Sequence, residues 1–240
     1  MNKLIELYIN TNYYVNEAIE RIIAEIHLKK QNDGSKNYIL SGCEPGVGTT
    51  TMAINLAISM ASAGWKTILI DGDLRKIVKY KKLNEELEFG LTDYLLGTVS
   101  YSNLAYHTNL RDLYYIPSGK RRLNPISLLS SDKVDELMDQ LSKDYDYIIM
   151  DMPSITTSVD PNIMASKTDG VILVSEYAKT DIRSIMESRD ILNKSGNKIS
   201  GIILNKINKT EYGHMIKNFD YYKNQRYINK QSKQKASIIV

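Results

Sequence analysis

Short apolar runs alternate along the chain with amphipathic stretches, and this alternation predicts the secondary structure. Residues 15–29 carry apolar side chains at helical spacing with charged residues between them, which predicts an N-terminal amphipathic helix. The runs rich in Ile, Leu and Val are typical of buried strands in a parallel sheet that helices cover on both faces. The predicted strands span residues 38–40, 65–71, 113–117, 145–151, 170–175 and 199–205.

The segments between the strands predict the helices and the domain boundaries. The expected helices span residues 51–64, 92–97, 125–143, 161–167 and 180–194. From about residue 208 the sequence becomes polar, basic and rich in Tyr, which predicts a flexible tail. The predicted parts are therefore an N-terminal helical segment, a doubly wound α/β domain with a mostly parallel sheet, and a basic tail, at residues 1–36, 37–207 and 208–240.

Composition narrows the class of protein. Of the 240 residues, 42% are apolar and 25% are charged, which is ordinary for a soluble globular chain. The net charge of +3 is too small to indicate a nucleic-acid partner, and the single cysteine excludes a disulfide framework. No stretch approaches the roughly 18–20 apolar residues of a membrane span, and the N-terminus lacks the apolar core of a signal peptide. We therefore expect a soluble, cytoplasmic protein that binds no nucleic acid.

A glycine-rich turn joins the first predicted strand to the first long apolar helix, at residues 42–50. Gly48 and Thr50 match the second glycine and the final hydroxyl of the phosphate-loop pattern G-x-x-x-x-G-K-[ST], in which that hydroxyl binds Mg²⁺, and Gly42 lies one position before the first glycine of the pattern. Thr49 stands where the pattern has lysine, and no shift of register restores one. Because such a turn points backbone N–H groups at a phosphate, it predicts a nucleotide site. A plain strand-to-helix turn is the alternative.

Two further apolar runs end in aspartate. Residues 68–75 carry Asp71 and Asp73 at the end of one predicted strand, and residues 147–153 carry Asp151 at the end of another. Parallel sheets bind their ligands at the carboxyl ends of the strands. One carboxylate there can hold the water shell of a metal while its partner accepts a proton from an attacking hydroxyl. The alternative for any single Asp is a solvated acidic turn.

These segments together resemble the bacterial tyrosine kinases of the capsule and exopolysaccharide type, in the stand-alone form found in Gram-positive organisms. The segments that correspond to the Walker A, A′ and B motifs of that family are 41–52, 68–75 and 147–153, and further matching stretches are 90–97, 117–129, 171–180 and 201–205. The resemblance covers residues from about 15 to 208. It implies a P-loop NTPase fold of the MinD/ParA type and an ATP-dependent protein-tyrosine kinase that uses Mg²⁺ and regulates polysaccharide biosynthesis.

The resemblance also implies a role for individual residues in nucleotide binding. The amides of residues 46–48 would cradle the β-phosphate, Thr50 would bind Mg²⁺ and Thr51 would lie near the α-phosphate. Asn205 stands at the position that reads the adenine. The implied nucleotide-binding residues are Gly46, Val47, Gly48, Thr49, Thr50, Thr51 and Asn205.

The implied chemistry uses the three aspartates and an arginine. The resemblance implies Asp71, Asp73 and Arg75 as catalytic residues, and the implied metal ligands are Thr50, Asp71 and Asp151. The family phosphorylates a C-terminal tyrosine cluster on a neighbouring subunit. The candidate phosphate acceptors in this chain are Tyr212, Tyr221, Tyr222 and Tyr227.

The partners implied by the resemblance are a membrane adaptor of the polysaccharide co-polymerase type and further copies of the chain. The adaptor would hold the kinase at the membrane, and its cytoplasmic end would complete the active site. The family assembles rings through an E-x-x-R-x-x-R helix, which Glu17 begins in this chain. Glu20 and Ile23 replace the two arginines, and only Arg21 is close enough to substitute. These replacements argue against a ring.

Three functions remain open from the sequence. The first is the tyrosine kinase, with Lys36 or a residue of a partner subunit as a candidate substitute for the missing lysine. The second is a degenerate kinase that binds nucleotide, or serves as a scaffold, without phosphotransfer, because one lost charge-stabilising donor typically costs on the order of 10²–10³ in rate. The third is a ParA/MinD-like ATPase, although Glu44 and Pro45 stand where those proteins have a signature lysine.

Overall fold

The structure of this chain is a computed structural model that describes residues 4–75, 87–120 and 124–215. The strands are β1 (Asn37–Gly42), β2 (Thr67–Asp71), β3 (Tyr106–His107), β4 (Leu113–Ile116), β5 (Tyr147–Asp151), β6 (Gly170–Glu176) and β7 (Ile199–Asn205). The α-helices are α1 (Tyr13–Asp33), α2 (Thr49–Ser62), α3 (Leu91–Leu95), α4 (Ile126–Leu129), α5 (Asp132–Asp144), α6 (Asp160–Ala165), α7 (Ile182–Lys194) and α8 (Lys209–Met215). The chain divides into two compact units, Met1–Lys206 and Ile207–Val240, and α8 belongs to the second.

Within the described residues, seven strands form one sheet in the order β3-β4-β2-β5-β1-β6-β7. All neighbouring strands are parallel except β3 and β4. Side chains alternate between the two faces of a strand, so Ile148 packs with α5, α6 and α7 while Ile149 packs with α1 and α2. Helices therefore cover both faces of the sheet, and the predicted fold class is confirmed.

The strand order defines the place where a ligand binds. From β1 the chain crosses over β5 to reach β2 on one side of the sheet. From β5 it crosses over β1 to reach β6 on the other side. The crevice outside the carboxyl ends of β1 and β5 is therefore the switch point of the sheet, where open α/β sheets bind their ligands. The glycine-rich turn leaves β1, and Asp151 ends β5, at this crevice.

The structure differs from the predicted elements at three places. The helix expected at 125–143 is broken into α4 and α5, because Ser131 takes an extended backbone and caps the preceding turn with a hydroxyl bond of 2.7 Å to the Leu128 carbonyl. The short strand β3 was not predicted, since two residues give no periodic signal. Residues 209–215, expected within a flexible tail, form α8. Among the described residues, no helix combines the length and the apolar character needed to span a membrane.

Candidate functional site

A cavity of about 560 Å³ opens at the switch point of the sheet. Its wall is formed by the loop after β1, the first turn of α2, Asp73, Asp151, the segment after β5 and Lys206. The predicted phosphate loop, Asp73 and Asp151 are therefore brought together, as the sequence indicated. A cleft of this size with converging polar groups is the usual form of a small-molecule site.

Two glycines allow the loop to curl around the cavity. Gly46 has a φ of +80° and Gly48 a φ of +92°, and both lie in the left-handed region that other residues avoid. A Cβ on Gly48 would also lie 2.5 Å from Nδ2 of Asn205. Only glycine permits both this backbone conformation and this contact, so the close approach of Asn205 to the loop depends on Gly48.

Three threonines begin α2 at the cavity. The N-cap position is Gly48, which has no side chain to cap the first N–H groups of the helix. Thr49, Thr50 and Thr51 all line the cavity. The Thr49 hydroxyl lies close to Gly42, where a Cβ would come within 2.9 Å of it. The first turn of α2 therefore offers backbone N–H groups, hydroxyls and the positive end of the helix dipole to an anion.

The two carboxylates at the ends of β2 and β5 are neighbours. Asp71 and Asp151 are register partners on adjacent parallel strands and are 6% and 4% exposed. Asp73 lies two residues beyond β2 and faces the cavity, and its N–H donates to Oδ1 of Asp71 at 3.2 Å. The sequence therefore predicted a set of acidic groups that the fold gathers at one place.

Arg75 lies at the end of this segment and binds a residue that the sequence did not single out. Its guanidinium makes two hydrogen bonds to the Asp160 carboxylate, with Nε to Oδ2 at 2.6 Å and Nη2 to Oδ1 at 2.8 Å. Asp160 begins α6 and is fully buried. The hydrogen bonds that Arg75 donates to Asp160 raise the pKa of Arg75. The arginine thus joins the loop after β2 to α6.

The end of β7 contacts the phosphate loop directly. Nδ2 of Asn205 donates to the carbonyl of Val47 at 2.9 Å, and Nζ of Lys206 donates to the carbonyl of Gly46 at 2.8 Å. Nζ of Lys206 also pairs with Glu176 at 2.8 Å. Sequence reasoning missed Lys206, because its importance comes from a contact with residues about 160 positions away.

Lys36 cannot replace the missing lysine within this chain. It lies just before β1, and its Nζ donates to the backbone carbonyl of Ser142 near the end of α5. Because β1 runs from Lys36 toward the phosphate loop, Lys36 lies at the opposite edge of the sheet. The suggestion that Lys36 substitutes for the absent charge is therefore wrong.

The segment after β5 lines the cavity and is hydrogen-bonded to the start of the phosphate loop. Oγ1 of Thr156 donates to the carbonyl of Cys43 at 2.8 Å, and the N–H of Ile155 donates to the carbonyl of Gly42 at 3.0 Å. Cys43 itself is fully buried, and burial raises the pKa of its thiol. The role of Thr156 in fixing the loop was not foreseen from the sequence.

The remaining candidates belong to other elements or lie outside the described residues. Tyr212 belongs to α8 in the second unit, and Tyr221, Tyr222 and Tyr227 lie outside the described residues. In α1, Arg21 forms an ion pair with Glu17 four residues earlier. Ile23, which stands in place of a ring arginine, is 7% exposed and packs in the core.

Comparisons with known proteins agree with this architecture. A profile for the AAA domain matches residues 39–202. MinD from Pyrococcus horikoshii, in complex with Mg-ADP, superposes with a TM-score of 0.58 at 21% identity, over 75% of this chain and 76% of that one, which supports the fold alone. The kinase domain of the Escherichia coli tyrosine kinase ETK superposes with a TM-score of 0.76 at 25% identity, over 81% and 76%. The fold and cavity define a P-loop NTPase of the MinD/ParA-like superfamily.

Sequence relatives narrow this class. Tyrosine-protein kinase CpsD of Streptococcus pneumoniae serotype 4 is 36% identical over 191 residues, which cover 78% of this chain and 84% of that protein. The putative tyrosine-protein kinase CapB of Staphylococcus aureus is 26% identical over 208 residues, covering 87% and 89%. The chain belongs to the family of bacterial tyrosine-protein kinases that includes CpsD, with threonine in place of the phosphate-loop lysine.

Proposed function

We propose that this chain is an ATP-dependent protein-tyrosine kinase that phosphorylates tyrosines of its own tail and regulates capsular or exopolysaccharide biosynthesis. The observation that carries the proposal is that the buried carboxylates of Asp71 and Asp151 lie side by side at the ends of β2 and β5, with Asp151 lining the same cavity as the phosphate loop. The named relatives are tyrosine-protein kinases, which supports the same chemistry. In this proposal the P-loop domain extends over residues 37–207, preceded by the helical segment 1–36 and followed by the tail 208–240.

The proposed oxygen donors fit Mg²⁺. Thr50 and Asp151 line the cavity, and Asp71 is the register partner of Asp151. A hydroxyl from Thr50 and carboxylates from Asp71 and Asp151 are hard ligands, and Mg²⁺ usually takes one or two carboxylates together with water and substrate phosphates. Among residues 4–75, 87–120 and 124–215, no group of three or more His, Cys, Asp or Glu is arranged to hold a metal. This donor set suits a metal that binds together with the nucleotide. When bound, Mg²⁺ would neutralise charge on the phosphates.

The proposed transfer assigns separate tasks to the acidic residues. The amides of residues 46–48 and the start of α2 bind the phosphates, and Asn205 lies beside the loop where the purine would be read. The tyrosine oxygen attacks the γ-phosphorus as the bond to the bridging β,γ-oxygen breaks, so that ADP leaves with the bond electrons. Asp73, which faces the cavity, accepts the phenolic proton. Asp71 would hold the metal together with Thr50 and Asp151. Arg75 acts through Asp160 by holding the loop against α6.

The proposed acceptors are Tyr212, Tyr221, Tyr222 and Tyr227, presented by a second copy of the chain. The proposed partner is a membrane adaptor of the polysaccharide co-polymerase type, which would place the kinase at the cytoplasmic face of the membrane. A solved neighbour supports such a pairing, because its name, the chimerical protein CapA2B2, combines CapB with a second component, CapA. That protein superposes with a TM-score of 0.75 at 28% identity, over 80% of this chain and 85% of that one. The pairing of Arg21 with Glu17 and the burial of Ile23 argue that copies associate without the usual ring contacts.

Mass spectrometry of the tail tests the proposal. The purified full chain is incubated with Mg-ATP, with and without the cytoplasmic segment of a candidate adaptor, and phosphotyrosine is mapped. We expect phosphate on tail tyrosines in the wild type and none in Asp73→Asn. Asp135→Asn, which changes a half-exposed carboxylate at the surface, is the matched control and should keep wild-type phosphorylation.

A nucleotide-binding pseudokinase is the second candidate, and Thr49 is the observation that favours it. A threonine cannot supply the positive charge that the lysine of the pattern brings to the β- and γ-phosphates. Absence of phosphotyrosine under both conditions, with Mg-ADP binding intact by calorimetry, would support this candidate against the kinase. Loss of nucleotide binding as well would leave only a scaffold.

A further inference from the structure

Two consecutive residues at the end of β7 hold the phosphate loop by two consecutive carbonyl groups. Asn205 binds the carbonyl of Val47 at 2.9 Å, and Lys206 binds the carbonyl of Gly46 at 2.8 Å. We propose that Lys206 is a positioning residue that, together with Asn205, orients the loop amides which bind the β-phosphate. This inference rests on the proposed nucleotide site.

Peptide geometry links these contacts to phosphate binding. In a planar trans peptide, the carbonyl of one residue and the N–H of the next point in opposite directions, and the described chain has no cis peptide bond. Holding the carbonyls of Gly46 and Val47 toward the end of β7 therefore turns the N–H groups of Val47 and Gly48 away from it. These are amides of the loop that encloses the cavity. The clamp thus fixes the donors that an incoming phosphate needs.

Lys206 is itself held in place on both sides. Its backbone lies in the left-handed region at a φ of +61°, and its N–H donates to Oδ1 of Asn205 at 2.8 Å. Its ammonium pairs with Glu176, the last residue of β6 and the register partner of Asn205. The hydrogen bond from Lys206 is the main cause of a lowered pKa at Glu176. Glu176 therefore anchors the ammonium at the position where it meets the loop.

The absence of the loop lysine makes this positioning more important. With Thr49 in that place, phosphate binding depends on backbone amides, hydroxyls and the metal. Amides bind an anion well only if they already point at it, because reorienting them during binding consumes binding free energy. A clamp from β7 keeps the loop in one conformation before nucleotide arrives.

A second role is physically distinct from positioning. Lys206 lines the cavity, so its ammonium could instead attract the phosphates directly. The two roles predict opposite effects of Glu176→Gln. If Lys206 positions the loop, loss of its anchor weakens nucleotide binding. If Lys206 acts as a free charge, removal of the competing carboxylate strengthens nucleotide binding.

Calorimetric titration of the full chain with Mg-ADP tests the inference. We expect Lys206→Met to weaken binding by about tenfold, the loss typical of one hydrogen bond to a charged group. Lys206→Arg keeps a donor and a positive charge and should recover most of the affinity. Lys179→Met is the matched control, because Lys179 also pairs with Glu176, is 72% exposed and makes no bond to the loop among the described contacts. Its affinity should stay within about twofold of the wild type.

Each outcome bears on the inference. Weaker binding by both Lys206→Met and Glu176→Gln, with thermal unfolding of the free variants close to that of the wild type, supports positioning. Unchanged affinity in Lys206→Met overturns it, and tighter binding by Glu176→Gln overturns it in favour of direct attraction. If the wild type binds no Mg-ADP, the proposed function fails and the inference fails with it, whereas wild-type binding with an unchanged Lys206→Met variant refutes the inference alone.

Discussion

Two glycines of the phosphate loop should differ in their tolerance of a methyl group. Gly46 and Gly48 both have a left-handed backbone, but a Cβ on Gly46 meets open space whereas one on Gly48 lies 2.5 Å from Nδ2 of Asn205. Alanine in this conformation destabilises the folded state by about 1–2 kcal/mol. Alanine also reduces the conformational freedom of the unfolded chain, which offsets about 0.4–1 kcal/mol of that loss. We therefore expect Gly46→Ala to lower the free energy of unfolding by about 1 kcal/mol.

Gly48→Ala carries the same backbone cost and must also displace the Asn205 side chain. Breaking the bond from Asn205 to the Val47 carbonyl in a half-buried setting adds about 1–3 kcal/mol. Urea denaturation without nucleotide, followed by circular dichroism, should therefore show Gly48→Ala to be less stable than Gly46→Ala by that amount. In an Asn205→Ala background the cost of Gly48→Ala should fall to that of Gly46→Ala. Equal stability of the two single variants would refute the close approach of Asn205.

Three further predictions concern a buried ion pair, a surface carboxylate and a buried thiol. Arg75→Met should lower the free energy of unfolding by about 3 kcal/mol, because it leaves the fully buried Asp160 without its bidentate partner. Urea denaturation measures this loss. In the control Arg189→Met, which breaks a half-exposed ion pair, the free energy of unfolding should change by less than about 1 kcal/mol. Hydrogen bonds from Ser35 and Lys198 lower the pKa of Asp33 to about 2. The contribution of Asp33 to folding stability is therefore present above its unfolded pKa and is lost as pH falls through about 4 to 2. Asp33→Asn should therefore flatten this part of the acid unfolding curve. Cys43, fully buried and with a raised pKa, should react with a thiol reagent at neutral pH far more slowly in the native protein than in urea, and equal rates would contradict its burial.

The acidic set was predictable because its residues mark the ends of strands. Continuous apolar runs led to Asp71 and Asp151, and parallel strands bring their carboxyl ends to one edge of the sheet. The glycine-rich turn was predictable for a similar local reason, since Gly46 and Gly48 are needed wherever the backbone must adopt positive φ. The fold class followed from the same runs.

The residues that support this set could not be predicted from local patterns. Lys206 and Asp160 act through contacts to Gly46 and Arg75, which lie 160 and 85 positions away in the sequence. Nothing in the neighbouring sequence of either residue distinguishes it from an ordinary surface charge. The break between α4 and α5 was missed because the apolar spacing continues across Ser131, whereas the extended backbone and the capping hydroxyl of that residue separate the two helices.

The rate of phosphotransfer in Thr49→Lys, compared with the wild type, tests whether this cavity phosphorylates tyrosine. We propose that it does, and that the missing charge at Thr49 limits the rate. Phosphotyrosine formed from Mg-ATP in the presence of the adaptor segment should therefore appear on the order of 10²–10³ times faster in Thr49→Lys. An unchanged rate would contradict the claim that Thr49 limits the reaction, and no phosphotyrosine in either protein would contradict the claim that this cavity transfers phosphate.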